Sequence, residues 1–141
     1  MKKILKVVGI AFVENGKLLI VQSHKSKKTN SFTFIGGGVE DGETLQEAAI
    51  REIKEEIGSY LTITEENLEP FLCFEEQAAS DPNLTIEMNI FLAHKEINVP
   101  LIPNEEILEF HWYKLGETTR NLSASIKDHF IPHAIEKQIM Y

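Results

Sequence analysis

The sequence predicts a layered α/β (α+β) domain whose sheet is not all parallel. Three observations carry this: an Asn-Gly turn between two apolar runs near the N-terminus, a change of hydrophobic period from two to about 3.6 at Thr44, and several strand-like runs beyond it. Residues 7–13 and 18–22 flank Glu14-Asn15-Gly16-Lys17, and Asn and Gly both tolerate the positive φ of a tight hairpin turn. The polar stretch 23–30, with Lys25, Lys27 and Lys28, reads as an exposed loop near the glycines that follow, placed to guide an anionic ligand. Residues 31–35 alternate like a strand and are expected to end at Gly36, Gly37 and Gly38. A helix is expected from Thr44 to Ile57: Thr44 and Glu47 make a capping box, Leu45, Ala49, Ile53 and Ile57 recur every fourth residue, and Gly58 stands where a C-terminal cap belongs. Residues 61–63, 68–76, 84–93 and 110–114 read as strands, with Asp81-Pro82-Asn83 turning between the second and third. Residues 122–140 read as helical, Pro132 either starting a new segment or kinking the helix.

A chain of 141 residues, 43% hydrophobic and 26% charged, suits one domain with a single core, so residues 1–141 are taken together. Fourteen basic against 22 acidic side chains give a net charge of −8, which disfavours long nucleic acids and anionic membranes. A small phosphorylated ligand stays compatible with that charge, because bound cations neutralise it locally. Nineteen of the acids are Glu, and the only arginines are Arg51 and Arg120. The single cysteine, Cys73, excludes an intramolecular disulfide and a cysteine zinc cluster, and it reads as a small buried apolar residue in a reducing, cytoplasmic setting. The basic N-terminal start lacks a convincing cleavage site, so no secretion signal is expected. No apolar stretch approaches the roughly 20 residues that span a bilayer.

The chemistry concentrates on the helix. Glu52, Glu55 and Glu56 fall within an arc of roughly 100° on its surface, where like charges destabilise an isolated helix. Hard divalent cations, Mg²⁺ or Mn²⁺, would relieve that repulsion, since they take oxygen ligands and are shared with substrate phosphates. Arg51 is placed to orient an upstream acid, Glu43 or Glu47, through a charge-assisted fork.

Gly37, Glu43 and the run Arg51-Glu52-Ile53-Lys54-Glu55-Glu56-Ile57-Gly58 stand at the offsets of a known signature. The segment from Gly37 to Ser59 resembles the Nudix box of the Nudix hydrolases, with the small, single-domain MutT-like proteins as the nearest type. Two scaffold positions differ: Ile35 stands where the family usually has Pro before the glycines, and Ser59 where it usually has an aliphatic residue. The resemblance implies an α/β/α sandwich with a mixed sheet and Mg²⁺- or Mn²⁺-dependent hydrolysis of a nucleoside diphosphate linked to another moiety. More than one ion is implied with substrate bound. It also implies Glu52 and Glu56 as principal metal ligands, Glu55 as a further ligand or base, the Gly36 carbonyl as a possible ligand, and Gly37, Gly38, Glu43, Arg51 and Gly58 as support for loop and helix. Many similar proteins pair as homodimers, although no interface motif is visible in this chain.

Members of that family differ over whether the general base lies in the helix or in a later loop. Glu106, six residues before Trp112, is the first choice outside the box, with Glu105 and Glu87 behind it. Phe32 and Phe34 are candidates to stack on a nucleobase, with core packing as their ordinary role, and Asn121 is a candidate to hydrogen-bond the base. His129 and His133 lack a third ligand and are separated by Pro132, which argues against a metal site, while His24, His94 and His111 stand isolated. The small size favours a (deoxy)nucleoside triphosphate or its oxidised form, cut to monophosphate and pyrophosphate. ADP-ribose or another nucleotide sugar, and a dinucleoside polyphosphate, are the alternatives, and a non-catalytic nucleotide sensor is a third reading.

Overall fold

The computed structural model describes residues 2–24, 26–78 and 81–141, so Lys25 of the basic loop lies outside the described residues. Strand β1 (Lys3–Ala11) lies inside a four-stranded mixed sheet. It pairs antiparallel with β5 (Ile35–Gly38) on one side and parallel with β7 (Leu84–Ala93) on the other. Strand β6 (Leu68–Gln77) closes the far edge antiparallel to β7, giving the order β5-β1-β7-β6. The chain leaves this sheet at Phe12, whose carbonyl accepts from the Leu19 N–H at 2.9 Å, and enters a second one. There β2 (Val13–Glu14), β3 (Lys17–Ser23) and β8 (Ile107–Tyr113) run in the order β2-β3-β8. Asn15 and Gly16 turn the β2–β3 hairpin with φ of 53° and 76°, the pair of positive values that a two-residue turn matching strand twist requires. A short parallel pair, β4 (Ser31–Phe32) with β9 (Asn121–Leu122), completes the strands.

Helix α1 (Leu45–Glu56) begins as its sequence predicts: the Glu47 N–H donates to Thr44 Oγ1 at 3.1 Å, and the Thr44 N–H donates to Glu47 Oε1 at 2.8 Å. Near the C-terminus a π-helical segment, Ser125–Phe130, runs directly into α2 (Ile131–Glu136). Pro132 therefore stands in the first turn of α2 without breaking it, where its missing N–H leaves no bond unmade, and the wider turn before it makes room for the ring.

Period-two alternation in the strands feeds two cores. Val8, Ile10, Phe12, Leu19 and Val21 pack with Ala48, Ala49, Ile53 and Ile57 of α1. Ala11, Leu18, Ile20, Met88 and Ile90 pack with Ile126, Phe130 and Ala134 of the C-terminal helical segment. A helix on each side of strands that share their faces is the α/β/α layering, with a mixed sheet.

Four sequence expectations change. The glycines do not end a strand: Gly36, Gly37 and Gly38 are inside β5, opposite Gly9, Val8 and Val7. Residues 61–63 form no strand, since the buried Leu61 and Ile63 fill the core beneath α1 from an irregular segment. Residues 122–140 are not helical throughout, because Leu122 belongs to β9 and the helix ends at Glu136. Cys73 is exposed, being carried outward on the edge strand β6. Among the described residues no helix is long and apolar enough to cross a membrane.

Candidate active site

The site is built where β5, α1 and the chain before β8 meet. Glu52, Glu55 and Glu56 of α1, Gly36 to Gly38 of β5, and Glu105 and Glu106 line one cleft of about 380 Å³. His24 also lines it, a residue that stands isolated in the sequence because only the fold of the polar loop brings it there. Gly37 is required by contact. A Cβ there would meet Glu52 Oε1 at 2.5 Å, so the strand approaches the carboxylate only because position 37 carries no side chain.

Arg51 organises the acids. Its Nε and Nη2 fork onto Glu43 at 2.7 and 3.0 Å, Nη1 donates to Glu52 Oε1 at 2.9 Å, and Nη2 also reaches the Gly38 carbonyl at 2.9 Å. Glu55 lies 3.5 Å from the same guanidinium. The hydrogen bonds from Arg51, joined by the Glu40 N–H, hold the Glu43 carboxyl down to about 2. Glu47, the other acid considered for Arg51, instead completes the helix cap.

Glu56 is different in kind. It is 5% exposed, accepts from the Gly36 N–H at 3.1 Å, and lies beside Glu52, itself 9% exposed. Burial first, and the Glu52 carboxylate second, push its acid well above the usual carboxylate range, against the pull of the Gly36 N–H. No Lys or Arg among the described residues pairs with Glu56. Two adjoining buried acids without a cation of their own, ringed by further oxygen donors, match the donor chemistry of Mg²⁺ or Mn²⁺. Among the described residues no three His, Cys, Asp or Glu side chains converge closely enough to hold an ion by themselves. That too suits Mg²⁺, which keeps several waters in its coordination sphere.

Glu106 and Glu105 reach the cleft through Asn104, whose Nδ2 donates to the Glu56 carbonyl at 2.9 Å and whose Oδ1 accepts from the N–H groups of Glu106 and Ile107. Glu87 is elsewhere, on β7, where its carboxylate accepts from Asn89 Nδ2 at 3.0 Å. His129 stacks on Phe74 at 3.9 Å, His133 packs edge-on against Phe71, and His94 and His111 pair with Glu69 and Glu117.

A second cavity of about 230 Å³ shares Thr33, Phe34, Gly36 and Gly37 with the carboxylate cleft and extends between Met88 and Ser123. Ser123 Oγ is buried there without a hydrogen-bond partner. The structure brings Phe34 to this boundary but neither Phe32 nor Asn121. Phe32 fills the core on the C-terminal helical side, and Asn121 is exposed in the β4–β9 pair. Sequence spacing pointed to Asn121, whereas the path of β9 turns inward two residues later.

A family model for the NUDIX domain matches residues 3–134. The 8-oxo-dGTP diphosphatase of Escherichia coli (strain K12) is 39% identical over 59 residues, which are 41% of this chain and 46% of that protein. The CTP pyrophosphohydrolase of the same organism is 34% identical over 64 residues, covering 45% of this chain and 47% of its own length. These alignments span just under half the length of either relative. The crystal structure of the MutT protein from Methanosarcina mazei Go1 superposes with a TM-score of 0.75 over 97% of each chain at 21% identity, a likeness of fold. A match running through both sheets, α1 and most of α2 is one of family rather than of a short motif, and the chain belongs to the NUDIX domain family.

Proposed function

We propose that this protein is a divalent-metal-dependent pyrophosphohydrolase that cleaves a nucleoside diphosphate linked to a second moiety. The observation that carries the reading is the single cleft in which the helix carboxylates, the glycine strand and the Glu105–Glu106 pair face one another. Diphosphatase and pyrophosphohydrolase activities named for the two Escherichia coli relatives agree with it.

Glu52, Glu56 and the Gly36 carbonyl would hold Mg²⁺ or Mn²⁺, with Glu55 as a further ligand or base. Bound there, the metal neutralises phosphate charge and acidifies an attacking water. Glu56, buried and held by the Gly36 N–H, suits a ligand more than a proton carrier. Glu106, Glu55 and Glu105 are the carboxylates placed to take the proton of the attacking water, and Glu106 is the first choice. Gly36 to Gly38 give the diphosphate a surface without side chains. The second cavity, with Phe34 at its entrance and the unpaired Ser123 hydroxyl inside, suits a nucleobase.

A nucleoside triphosphate and a nucleotide sugar differ only in what leaves. The deciding experiment is hydrolysis of a panel of nucleoside triphosphates, nucleotide sugars and dinucleoside polyphosphates with Mg²⁺ or Mn²⁺, with the products identified. Metal-dependent cleavage is expected, lowered at least ~100-fold by Glu55→Gln or Glu56→Gln. Undiminished turnover in both variants overturns the site, and tight binding without cleavage of any compound replaces the enzyme with a nucleotide sensor.

A further inference from the structure

A third cavity, of about 480 Å³, opens on the far side of the carboxylate cleft from the Ser123 cavity and shares Glu55, Glu105 and Glu106 with that cleft. The three spaces are therefore contiguous, with the carboxylates in the middle. Tyr60, Ile102 and Pro103 line the third one, and Tyr60 and Ile102 are 57% and 58% exposed, large for apolar side chains left open to water.

Both walls are held in place. A Cβ at Gly58 would come within 2.7 Å of Tyr60 Cζ, so the ring is seated directly on the glycine that follows α1, at a φ of +132° that other residues rarely adopt. The opposite wall, Ile102 and Pro103, precedes Asn104, which is fixed to the Glu56 carbonyl. Among the described residues the cavity is lined by three carboxylates and by no Lys, Arg or His.

That lining discriminates between ligands. Carboxylates accept hydrogen bonds from hydroxyl groups and repel phosphate oxygens, while the face of a tyrosine ring packs well against a flat or C–H-bearing surface. We propose that this cavity is the subsite for the moiety beyond the diphosphate and that it takes an uncharged, hydroxyl-bearing group of the sugar class rather than a further phosphate. The inference rests on the reaction assigned above. It selects the nucleotide-sugar alternative over the nucleoside triphosphate that the small size of the chain favours.

The test compares ADP-ribose with ATP, each with Mg²⁺, in the unaltered chain and in Tyr60→Ala and Tyr60→Phe. The unaltered chain is expected to prefer ADP-ribose. Tyr60→Ala should lower the ratio of kcat/KM for ADP-ribose over ATP by about 3- to 10-fold, through KM, and Tyr60→Phe should restore it. A ratio that Tyr60→Ala leaves unmoved, or a chain that cuts ATP and spares ADP-ribose, overturns the subsite. If neither compound is cut, the reaction assignment fails instead, and calorimetric titration of the α,β-methylene analogue of ADP-ribose judges the subsite alone. Binding weakened by Tyr60→Ala and recovered in Tyr60→Phe supports it, and binding that is absent or indifferent to the substitution overturns it.

Discussion

The side chain of Asn104 donates to the backbone carbonyl of Glu56 at 2.9 Å, so the segment carrying Glu105 and Glu106 is fastened to the last turn of α1. The same side chain accepts from the N–H groups of Glu106 and Ile107, closing a local turn that aims both carboxylates into the cleft. Asn104→Ala is expected to lower kcat about 10-fold, with a stability loss of ~1 kcal/mol for the unmade hydrogen bonds. Asn104→Asp keeps the turn but loses the donor to Glu56, so its kcat should fall between the two. Equal kcat in all three forms would show that the fastening does not position a reacting group.

Arg51 and Glu43 give a prediction in pH. The Glu43 acid is held down to about 2, below its ordinary value of 4.5, so the unfolded chain binds its proton more readily than the folded one does. The fork therefore stabilises the fold fully above pH 4.5 and loses that contribution as pH falls from 4.5 towards 2. Glu43→Gln should lower Tm at neutral pH and narrow its difference from the unaltered protein across that acid window. A difference that stays constant from pH 7 to pH 3 would contradict the assignment. Arg51→Lys should also lose the fork, since an ammonium cannot make the paired bonds of a guanidinium.

Glu56→Gln separates stability from metal binding. The amide oxygen still accepts from the Gly36 N–H, while the cost of a buried acid beside Glu52 disappears. The metal-free Tm of this variant is expected to equal or exceed that of the unaltered protein, and the rise in Tm on adding Mg²⁺ should be largely lost. Differential scanning fluorimetry with and without the ion reads both. A full Mg²⁺ response in the variant would remove Glu56 from the ligand set.

Ser123→Ala removes a buried hydroxyl that has no partner. Deleting such a group should leave the free protein as stable or more so, by up to about 1 kcal/mol, while raising KM for a nucleotide whose base reaches the cavity. A destabilised variant with unchanged KM would mean that the hydroxyl serves the fold and not the ligand.

What the sequence discloses follows how local each feature is. The capping box of Thr44 and Glu47 and the Asn15-Gly16 turn depend on a few adjacent residues, and both form as their spacing indicates. Arg51 meets Glu43 because both flank one helix start, eight positions apart. Leu61 and Ile63 are apolar and alternate, yet without a neighbouring strand to pair with they become core filling in irregular chain. Gly36 to Gly38 look like a strand's end because glycine is a poor strand former, and only pairing with the distant β1 makes them strand. Tyr60 and Ser123 acquire meaning from cavities formed by segments far apart in sequence, and neither carries a local signal.

The glycine strand also bears on how selectivity can vary. Gly36 and Gly37 form a common partition between the Ser123 cavity and the carboxylate cleft. A side chain on that partition would intrude on the conserved geometry of the reaction and on the neighbouring compartment together. Changes of preference are therefore confined to the two outer compartments, around Ser123 and around Tyr60 and Ile102, where one end of a ligand can be exchanged without redesigning the other.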